Sequence, residues 1–183
     1  LITSSFFCKV KKLILFGSSC IYPKKYNKPI KENQIMNGVL EETNESYAIA
    51  KIAGIKMIEA FNEQYKSNYI SLMPTNIYGV NDNFHPKNSH VVPALIYKIF
   101  TAYQKNKKSV TLWGTGKPLR DLLDVDDLAD AIFFLVNNYK SVEMINIGSG
   151  SEISIKNLAN LIAKLIGFKG KILFDKKMPD GTP

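Results

Sequence analysis

The feature that most constrains the fold of this chain is the alternation of strand-like and helix-like segments along its length. Short apolar runs such as "KKLILFG" and "KILFD" have the length and composition of buried strands. Between such runs lie segments with helical spacing, among them "VDDLADAIFFLVNN", whose first turn carries the acidic residues that a helix N-terminus favours. Strands that alternate with helices predict an α/β fold with a largely parallel sheet.

Other segments fit the same alternation. The stretch "YISLMPTNIYG" is predicted as a second strand, residues 91–105 as a helix, and "SVTLWG" and "EMINIG" as strands. Ser154 is predicted to cap the N-terminus of a helix over "IKNLANLIAKLIG". The stretch "SYAIAKIAGIKMIEAFNEQYK" predicts a helix whose apolar residues recur at roughly helical spacing, namely Ile49, Ile52, Ala53, Met57 and Phe61.

Composition narrows the class of protein. With 183 residues, 45% hydrophobic and 22% charged, the chain can bury a substantial core, which argues against disorder. No apolar run is long enough to span a bilayer and no signal-peptide pattern is visible, so no membrane partner is expected. The net charge of +8 suits a phosphorylated ligand, but the lysines are scattered and no nucleic-acid partner is expected. Two cysteines, Cys8 and Cys20, do not suggest a disulfide framework, and a cytoplasmic location is expected.

Polar residues follow three of the predicted strands, in "GSSC", "PTN" and "WGTG". Ligands of doubly wound sheets bind outside the carboxyl ends of the strands, so these residues are candidates for chemistry. Tyr47 and Lys51 follow the first strand at i and i+4 in "SYAIAK", on one face of a predicted helix. A lysine ammonium near a phenol favours the phenolate and helps the hydroxyl to pass a proton. The spacing alone is weak, and a simple surface pairing remains the alternative.

Several segments together resemble the extended short-chain dehydrogenase/reductase family, in its nucleotide-sugar branch. They are "GSSCIYP", "NESYAIAKIAGIKMIEAFNEQY", "MPTNIYG", "DNFHPKNSHVVPAL", "WGTGKPLRDLLDVDDLA", "INIGSG" and "PDGTP". The resemblance covers nearly the whole chain and implies the C-terminal part of a Rossmann-like doubly wound parallel sheet with a smaller α/β substrate-binding region. Residues 1–80 are then expected to form a partial NADP-binding domain that carries the catalytic Ser, Tyr and Lys. Residues 81–183 are expected to be mainly substrate-binding, with segments that return to the first domain.

The resemblance also implies an activity and its catalytic residues. It implies epimerisation at C3 and C5 of GDP-4-keto-6-deoxy-D-mannose and reduction at C4 with NADPH. Ser18 and Tyr47 would polarise and protonate the C4 oxygen, while Lys51 would tune Tyr47 and hold the nicotinamide ribose. Cys20 and His90 would move the protons at C3 and C5, since thiols and imidazoles transfer protons near neutrality. Cys20 as a packing residue and His90 as a capping or solvated residue remain the alternatives.

Binding residues follow from the same resemblance. Cofactor contacts are expected from the catalytic Ser18, Tyr47, Lys51 and His90 and from Phe16, Gly17, Ser19, Pro74, Thr75, Asn76 and Ile77. Substrate contacts are expected from Lys98, Trp113, Arg120 and Asp180.

Some of these assignments have open alternatives. Lys98 stands where the family often carries arginine; lysine keeps the charge but lacks the bidentate geometry of arginine. The alternative for Arg120 is an ion pair with Asp121 or Asp124, and for Trp113 it is core packing. His85 is interpreted as loop structure, Cys8 receives no role, and no metal is expected.

The expected cofactor site is incomplete in this sequence. No segment supplies the glycine-rich turn that binds a pyrophosphate at a helix N-terminus, and "NIGSG" lacks the rest of GxGxxG. The chain is therefore expected to be a fragment that binds NADPH poorly by itself. The family usually pairs through the Tyr47 helix and its neighbour, so a homodimer is expected. Two other functions stay open: another nucleotide-sugar epimerase or dehydratase with tightly held NAD, and a non-enzymatic binding module.

Overall fold

The structure, a computed structural model, describes residues 1–24, 29–86 and 88–180. The predicted α/β alternation is confirmed. The elements in chain order are α1 (Ile2–Phe7), β1 (Leu13–Phe16), α2 (Glu45–Tyr65), β2 (Tyr69–Pro74), β3 (Asn76–Tyr78), α3 (Val91–Gln104), β4 (Ser109–Trp113), β5 (Leu119–Asp124), α4 (Val125–Asn138), β6 (Ile145–Ile147), β7 (Glu152–Ser154), α5 (Ile155–Ile166) and β8 (Lys171–Asp175).

The chain divides into two compact units, each built from two stretches of sequence. The first unit consists of Leu1–Ile77 and Asp126–Ser149, and the second of Tyr78–Val125 and Gly150–Pro183. The assignment of cofactor binding to the N-terminal part and substrate binding to the rest stays a prediction.

A parallel sheet in the order β1-β2-β6 forms the centre of the first unit. The register places Phe16 beside Leu72 and Leu72 beside Ile145. Every residue of β2 is buried because this strand lies between the other two. The first strand was predicted to be buried as well, and this is wrong: β1 lies at the edge of the sheet and is only partly covered.

The residues that helix α2 buries most deeply are not the five apolar residues noted from the sequence. Its fully buried apolar residues are Ala48, Ile55 and Ile58, whereas Ile49 is 53% exposed and Met57 is 38% exposed. The segment carries apolar residues on two sides, so periodicity could not decide which side faces β2. An apolar stripe on α2 is therefore left uncovered in this chain.

Lys12 ties the start of β1 to the end of α4. Its ammonium donates hydrogen bonds to the carbonyl oxygens of Leu135, Val136 and Tyr139 at 3.2, 3.0 and 2.8 Å. The last carbonyls of a helix have no partner within the helix, and a cation is favoured at that end of the dipole. This side chain therefore fixes the position of α4 relative to the sheet.

The second unit contains two strand pairs and two helices. Strands β4 and β8 pair in parallel from Ser109 beside Lys171 to Trp113 beside Asp175, while β5 and β7 pair antiparallel. Helices α3 and α5 pack together in a core that includes the fully buried Ile99. As predicted, α5 begins after Ser154, whose hydroxyl accepts a hydrogen bond from the Asn157 amide at 3.2 Å.

Three strands differ from the prediction. The run "YISLMPTNIYG" forms two strands, β2 and β3, with Thr75 between them, and both β5 and β7 were missed. Strands β3 and β7 have three residues each, too few alternating positions to be recognised from sequence, and the six residues of β5, LRDLLD, do not alternate apolar with polar. Within the part of the chain that the structure describes, no helix is both long and apolar enough to cross a membrane.

Candidate active site

The carboxyl end of β1 leads directly into a short 3-10 turn, Ser19–Ile21, that carries Cys20. Ser18 caps this turn: its hydroxyl oxygen accepts a hydrogen bond from the Cys20 amide at 3.3 Å. Because a serine hydroxyl can accept and donate at the same time, this contact leaves its proton available for another acceptor. Cys20 is half-buried and unpaired, so the interpretation of Cys20 as a fully buried packing residue is not supported.

Gly17 allows this turn to lie close to β2. A Cβ atom at Gly17 would lie 2.1 Å from the Met73 sulfur, and the Gly17 amide donates to the Leu72 carbonyl oxygen at 2.8 Å. A larger residue would require the Met73 side chain or the turn to move. Glycine here therefore allows the close approach of the turn that carries Ser18 and Cys20 to β2.

A tyrosine anchors the other side of the same turn. The Tyr22 hydroxyl donates to Asn146 Oδ1 on β6 at 2.5 Å. The backbone amide of Asn146 donates to the Glu32 carboxylate at 2.9 Å. Burial raises the pKa of Tyr22 to about 12, while its hydrogen bond to Asn146 acts in the opposite direction. Sequence reasoning missed this anchor, although the aromatic residue within "SSCIYP" was a signal for it.

Helix α2 brings the Tyr47 and Lys51 pair to the end of β1. The Lys51 ammonium donates to the carbonyl oxygen of Phe16 at 2.7 Å and lies 5.4 Å from the centroid of the Tyr47 ring. Tyr47 is 50% exposed, so its side chain is partly accessible to solvent. Within the first unit, the predicted Tyr and Lys are thus attached to the strand end from which Ser18 and Cys20 extend.

The loop after β2 starts beside the loop after β1. Their origins are neighbours because Phe16 pairs with Leu72, two residues before Pro74. The Thr75 amide donates to the Ile147 carbonyl oxygen at 2.9 Å, which holds this loop against β6. Asn76, which is partly buried, and Ile77, which is exposed, already belong to β3. Both predicted cofactor-binding segments therefore begin at the carboxyl ends of adjacent parallel strands, where doubly wound folds bind ligands.

His90 belongs to the second unit, where it immediately precedes α3. Its backbone carbonyl accepts from the Ala94 amide at 2.9 Å, but its imidazole makes no capping hydrogen bond to the helix. The side chain is exposed. The capping alternative is thus not supported for the side chain, whereas a solvated imidazole fits. His85 lies in the preceding loop, as predicted.

The predicted substrate residues of the second unit include a lysine stacked on a tryptophan. The Lys98 ammonium on α3 lies 4.7 Å from the centroid of the Trp113 ring at the end of β4, within cation–π range. Trp113 is 58% exposed, so it is not a core residue. Burial lowers the pKa of Lys98.

Arg120 on β5 is a second cation among the predicted substrate residues. Its guanidinium donates to the carbonyl oxygen of Leu119 at 2.6 Å. Burial lowers the pKa of Arg120, and the charge of Asp180 acts against that shift. Asp180 itself binds Thr115, a residue that sequence reasoning missed. A threonine between two glycines in "GTG" was the only signal for it.

No group of histidine, cysteine, aspartate and glutamate side chains within the described residues could hold a metal ion. The donors at the ends of β1 and β2 are of another kind: hydroxyls, a lysine ammonium, an amide side chain and backbone groups. Such donors suit the ribose and nicotinamide end of a dinucleotide.

Comparison with known proteins identifies relatives of this chain. The sequence profile of the NAD dependent epimerase/dehydratase family matches residues 1–148. A probable GDP-L-fucose synthase 1 from Oryza sativa subsp. japonica is 56% identical over 174 residues, which cover 95% of this chain. A GDP-L-fucose synthase from Escherichia coli (strain K12) is 49% identical over 183 residues, again covering 95% of this chain.

A solved structure has the same architecture. The GDP-L-fucose synthetase from Naegleria fowleri bound to NADP is 32% identical, with a TM-score of 0.91 over 98% of this chain and 58% of its own length. This chain spans 53% of the rice protein and 57% of the E. coli protein, so it corresponds to about half of each relative. With the family profile matching most of its length, the chain belongs to the NAD dependent epimerase/dehydratase family.

Proposed function

We propose that this chain carries the catalytic residues of a GDP-L-fucose synthase, an enzyme that converts GDP-4-keto-6-deoxy-D-mannose to GDP-L-fucose with NADPH. The observation that carries the proposal is the hydrogen bond between Lys51 and the Phe16 carbonyl. It attaches the Tyr47 helix to the strand end that continues into Ser18 and Cys20. The names and identities of the relatives support the choice of substrate.

The first chemical task is epimerisation at C3 and C5. Each carbon lies beside the C4 ketone, so loss of its proton gives an enolate in which the charge is delocalised onto the C4 oxygen. One group removes the proton and another returns a proton to the opposite face. We propose Cys20 and His90 for these two roles, because both are accessible groups whose chemistry suits proton transfer near neutral pH.

The second task is reduction at C4. NADPH, when bound, supplies the hydride that C4 accepts. The C4 oxygen must then gain a proton, and Tyr47 is the proposed donor. The Lys51 ammonium close to the Tyr47 ring stabilises the phenolate that remains. The Ser18 hydroxyl, whose oxygen accepts from the Cys20 amide, donates to the C4 oxygen and aligns the carbonyl.

The cofactor would be held by the loops after β1 and β2, with Lys51 on the nicotinamide ribose. Because the relatives are nearly twice as long as this chain, we propose that residues outside it supply the glycine-rich turn for the pyrophosphate. The isolated chain is then expected to bind NADPH weakly. An equilibrium titration that gives tight NADPH binding to these 183 residues alone would contradict this part of the proposal.

We also propose that the protein is a homodimer that pairs through α2. The support is the uncovered stripe that contains Ile49 and Met57 on a helix of 21 residues. Light scattering should give twice the chain mass for the wild type and a shift towards monomer for Ile49→Glu.

A cytoplasmic location is proposed as well, since the thiol chemistry assigned to Cys20 requires a reduced cysteine.

The experiment that tests the function uses the natural protein that contains this chain. It is incubated with GDP-4-keto-6-deoxy-D-mannose and NADPH in deuterium oxide. The proposal expects one NADPH oxidised for each GDP-L-fucose formed, with deuterium at C3 and C5. Deuterium exchange or sugar turnover without NADPH consumption would instead indicate an epimerase or dehydratase with tightly held NAD. Failure to act on any nucleotide sugar, combined with salt-sensitive nucleic-acid binding, would favour a binding module.

A further inference from the structure

The turn between β4 and β5 connects two of the residues that the sequence predicts to contact the substrate, Trp113 and Arg120. Backbone hydrogen bonds fix both of its ends. The Gly114 amide donates to the carbonyl oxygen of Asp175 on β8 at 3.0 Å, and the Lys156 amide of α5 donates to the Gly116 carbonyl oxygen at 2.9 Å. The middle of the turn, at Thr115, is held by a side chain from a distant part of the chain.

That side chain is Asp180, which lies 65 residues further along the sequence. One of its carboxylate oxygens accepts from the Thr115 amide at 2.5 Å, and the other accepts from the Thr115 hydroxyl at 2.8 Å. The Thr115 hydroxyl oxygen also accepts from the Lys117 amide at 3.2 Å. The carboxylate thus closes a small network across the turn, which we call the Asp180 latch (Asp180, Thr115 and the Lys117 amide).

Glycine at position 114 makes room for the latch. Gly114 has φ of +76°, and a Cβ atom there would lie 2.1 Å from the nearer carboxylate oxygen of Asp180. A methyl group and this carboxylate cannot occupy the same space, so the residue type at 114 and the position of Asp180 depend on each other.

Electrostatics favour the ionised form of the latch. The Thr115 amide and then the Thr115 hydroxyl lower the pKa of Asp180, and the charges of Arg120 and Lys117 act in the same direction. The carboxylate is therefore an acceptor for both Thr115 donors at neutral pH, and it also lies within electrostatic reach of Arg120.

We propose that Asp180 is a positioning residue that orders the β4–β5 turn, and with it Trp113 and Arg120, for the diphosphate and nucleoside end of the substrate. The inference rests on the proposed function for the identity of that ligand. Asp180 then acts on the substrate through the turn and not by contacting the nucleotide directly, since both of its carboxylate oxygens accept hydrogen bonds from Thr115.

The first test needs no ligand and is made on these 183 residues, in which Trp113 is the single tryptophan. Its emission maximum and acrylamide quenching are compared in the wild type, Asp180→Ala and Asp180→Asn. Asparagine can still accept from the Thr115 amide and donate to the Thr115 hydroxyl, so Asp180→Asn should resemble the wild type. Asp180→Ala removes both contacts and should change the Trp113 signal. An unchanged Trp113 signal in Asp180→Ala would overturn the proposal.

The second test titrates GDP-mannose against the same fluorescence. Asp180→Ala should weaken binding about tenfold, as expected when hydrogen bonds that order a charged site are lost. Asp180→Asn should lose less than about threefold, since its hydrogen bonds persist. Equal weakening in both variants with an unchanged Trp113 signal would indicate direct charge contact with the nucleotide and overturn the latch.

A glycine pair supplies the matched control. Gly114→Ala and Gly167→Ala impose the same left-handed strain, with φ of +76° and +80°, but only the first displaces Asp180, since nothing lies within 4 Å of a Cβ at Gly167. Gly114→Ala should weaken GDP-mannose binding as Asp180→Ala does, while Gly167→Ala should bind like the wild type. The double variant Gly114→Ala with Asp180→Ala should bind no more weakly than either single variant, because both remove one contact. Additive losses would contradict the latch.

Thr115→Val keeps the test decisive should Asp180→Ala fail to fold. It removes one of the two hydrogen bonds to Asp180, together with the one from the Lys117 amide, and keeps the bond from the Thr115 amide. It should therefore give a smaller change in both measurements, and no change in either would overturn the proposal. A wild-type chain that does not bind GDP-mannose would count against the proposed function. The ligand-free Trp113 comparison would still decide whether Asp180 orders the turn.

Discussion

The ammonium group of Lys51 on α2 donates a hydrogen bond of 2.7 Å to the carbonyl oxygen of Phe16, the last residue of β1. One side chain thus joins the helix that carries Tyr47 to the strand end that continues into Ser18 and Cys20. A lysine ammonium has three donors, so this contact leaves others for a ribose hydroxyl. Lys51 therefore has a structural and a proposed chemical role at the same position.

Replacing Lys51 should separate activity from stability. Lys51→Met removes the cation beside Tyr47 and should lower the rate of NADPH oxidation by about 100-fold or more, the usual range for a lost acid–base group. The thermal midpoint should change little, because the lost hydrogen bond belongs to a partly exposed side chain. Lys56→Met is the control on the same helix, since Lys56 only pairs with Glu59 on the surface. Equal rates in the two variants would exclude the role of Lys51.

Replacing Cys20 should separate epimerisation from reduction. A hydroxyl is a far weaker acid than a thiol, so Cys20→Ser should abolish most of the deuterium uptake at C3 and C5. Hydride transfer to C4 does not require the thiol, and slow oxidation of NADPH should persist with formation of an unepimerised product. Mass spectrometry of the product from deuterium oxide measures both steps. Cys8→Ser, at an exposed cysteine, should behave like the wild type; full deuterium uptake by Cys20→Ser would exclude Cys20 as the acid or base.

Ionisation of the buried Tyr22 hydroxyl is expected to destabilise the protein at alkaline pH. Its pKa is raised from 10.0 to about 12, chiefly by burial, so the folded state binds this proton more tightly than the unfolded chain does. The resulting contribution of Tyr22 to the free energy of unfolding is fully present below pH 10 and is lost as pH rises towards 12. Urea unfolding of the wild type should therefore show stability decreasing over this range, and Tyr22→Phe should decrease less steeply. Tyr65→Phe, at a 46% exposed position, should follow the wild type; identical slopes in all three proteins would contradict the prediction.

Two leucines of α5 should differ strongly in their effect on stability. Leu158 is 5% exposed within the core of the second unit, and Leu158→Ala should lower the free energy of unfolding by about 2–5 kcal/mol. Leu165 on the same helix is 77% exposed, and Leu165→Ala should change it by about 0.5 kcal/mol or less. Urea unfolding followed by Trp113 fluorescence reports on this unit. Similar losses for both variants would mean that the packing of α5 is not as described.

Local sequence signals predicted the elements whose determinants lie within one segment. Helix α4 has the predicted bounds because its acidic first turn and apolar periodicity are continuous. The Ser154 cap was predictable because a cap and the amide that it binds lie three residues apart. Strands β5 and β7 were missed because each is defined by its antiparallel partner elsewhere in the chain and not by a local apolar run.

The candidate site also contains features that local sequence predicts and features that it does not. The Tyr47 and Lys51 pair was predictable, because i and i+4 on a helix place two side chains on one face whatever the rest of the chain does. The hydrogen-bond partners of the site residues could not be predicted. Lys51 binds a carbonyl 35 residues away, Tyr22 binds Asn146, and Asp180 binds Thr115. Each pair depends on how strands are ordered and where loops return.

By itself, the sequence determined the α/β alternation, the Ser154 cap and the residue types available for proton transfer, because these depend on periodicity and on neighbours within about one helical turn. Only the tertiary structure decided which face of α2 is buried, that β1 is an edge strand, and that Asp180 binds the turn after Trp113. These features follow from packing and from hydrogen bonds between distant segments. Such contacts form only when the whole chain buries its apolar surface, so no local pattern encodes them.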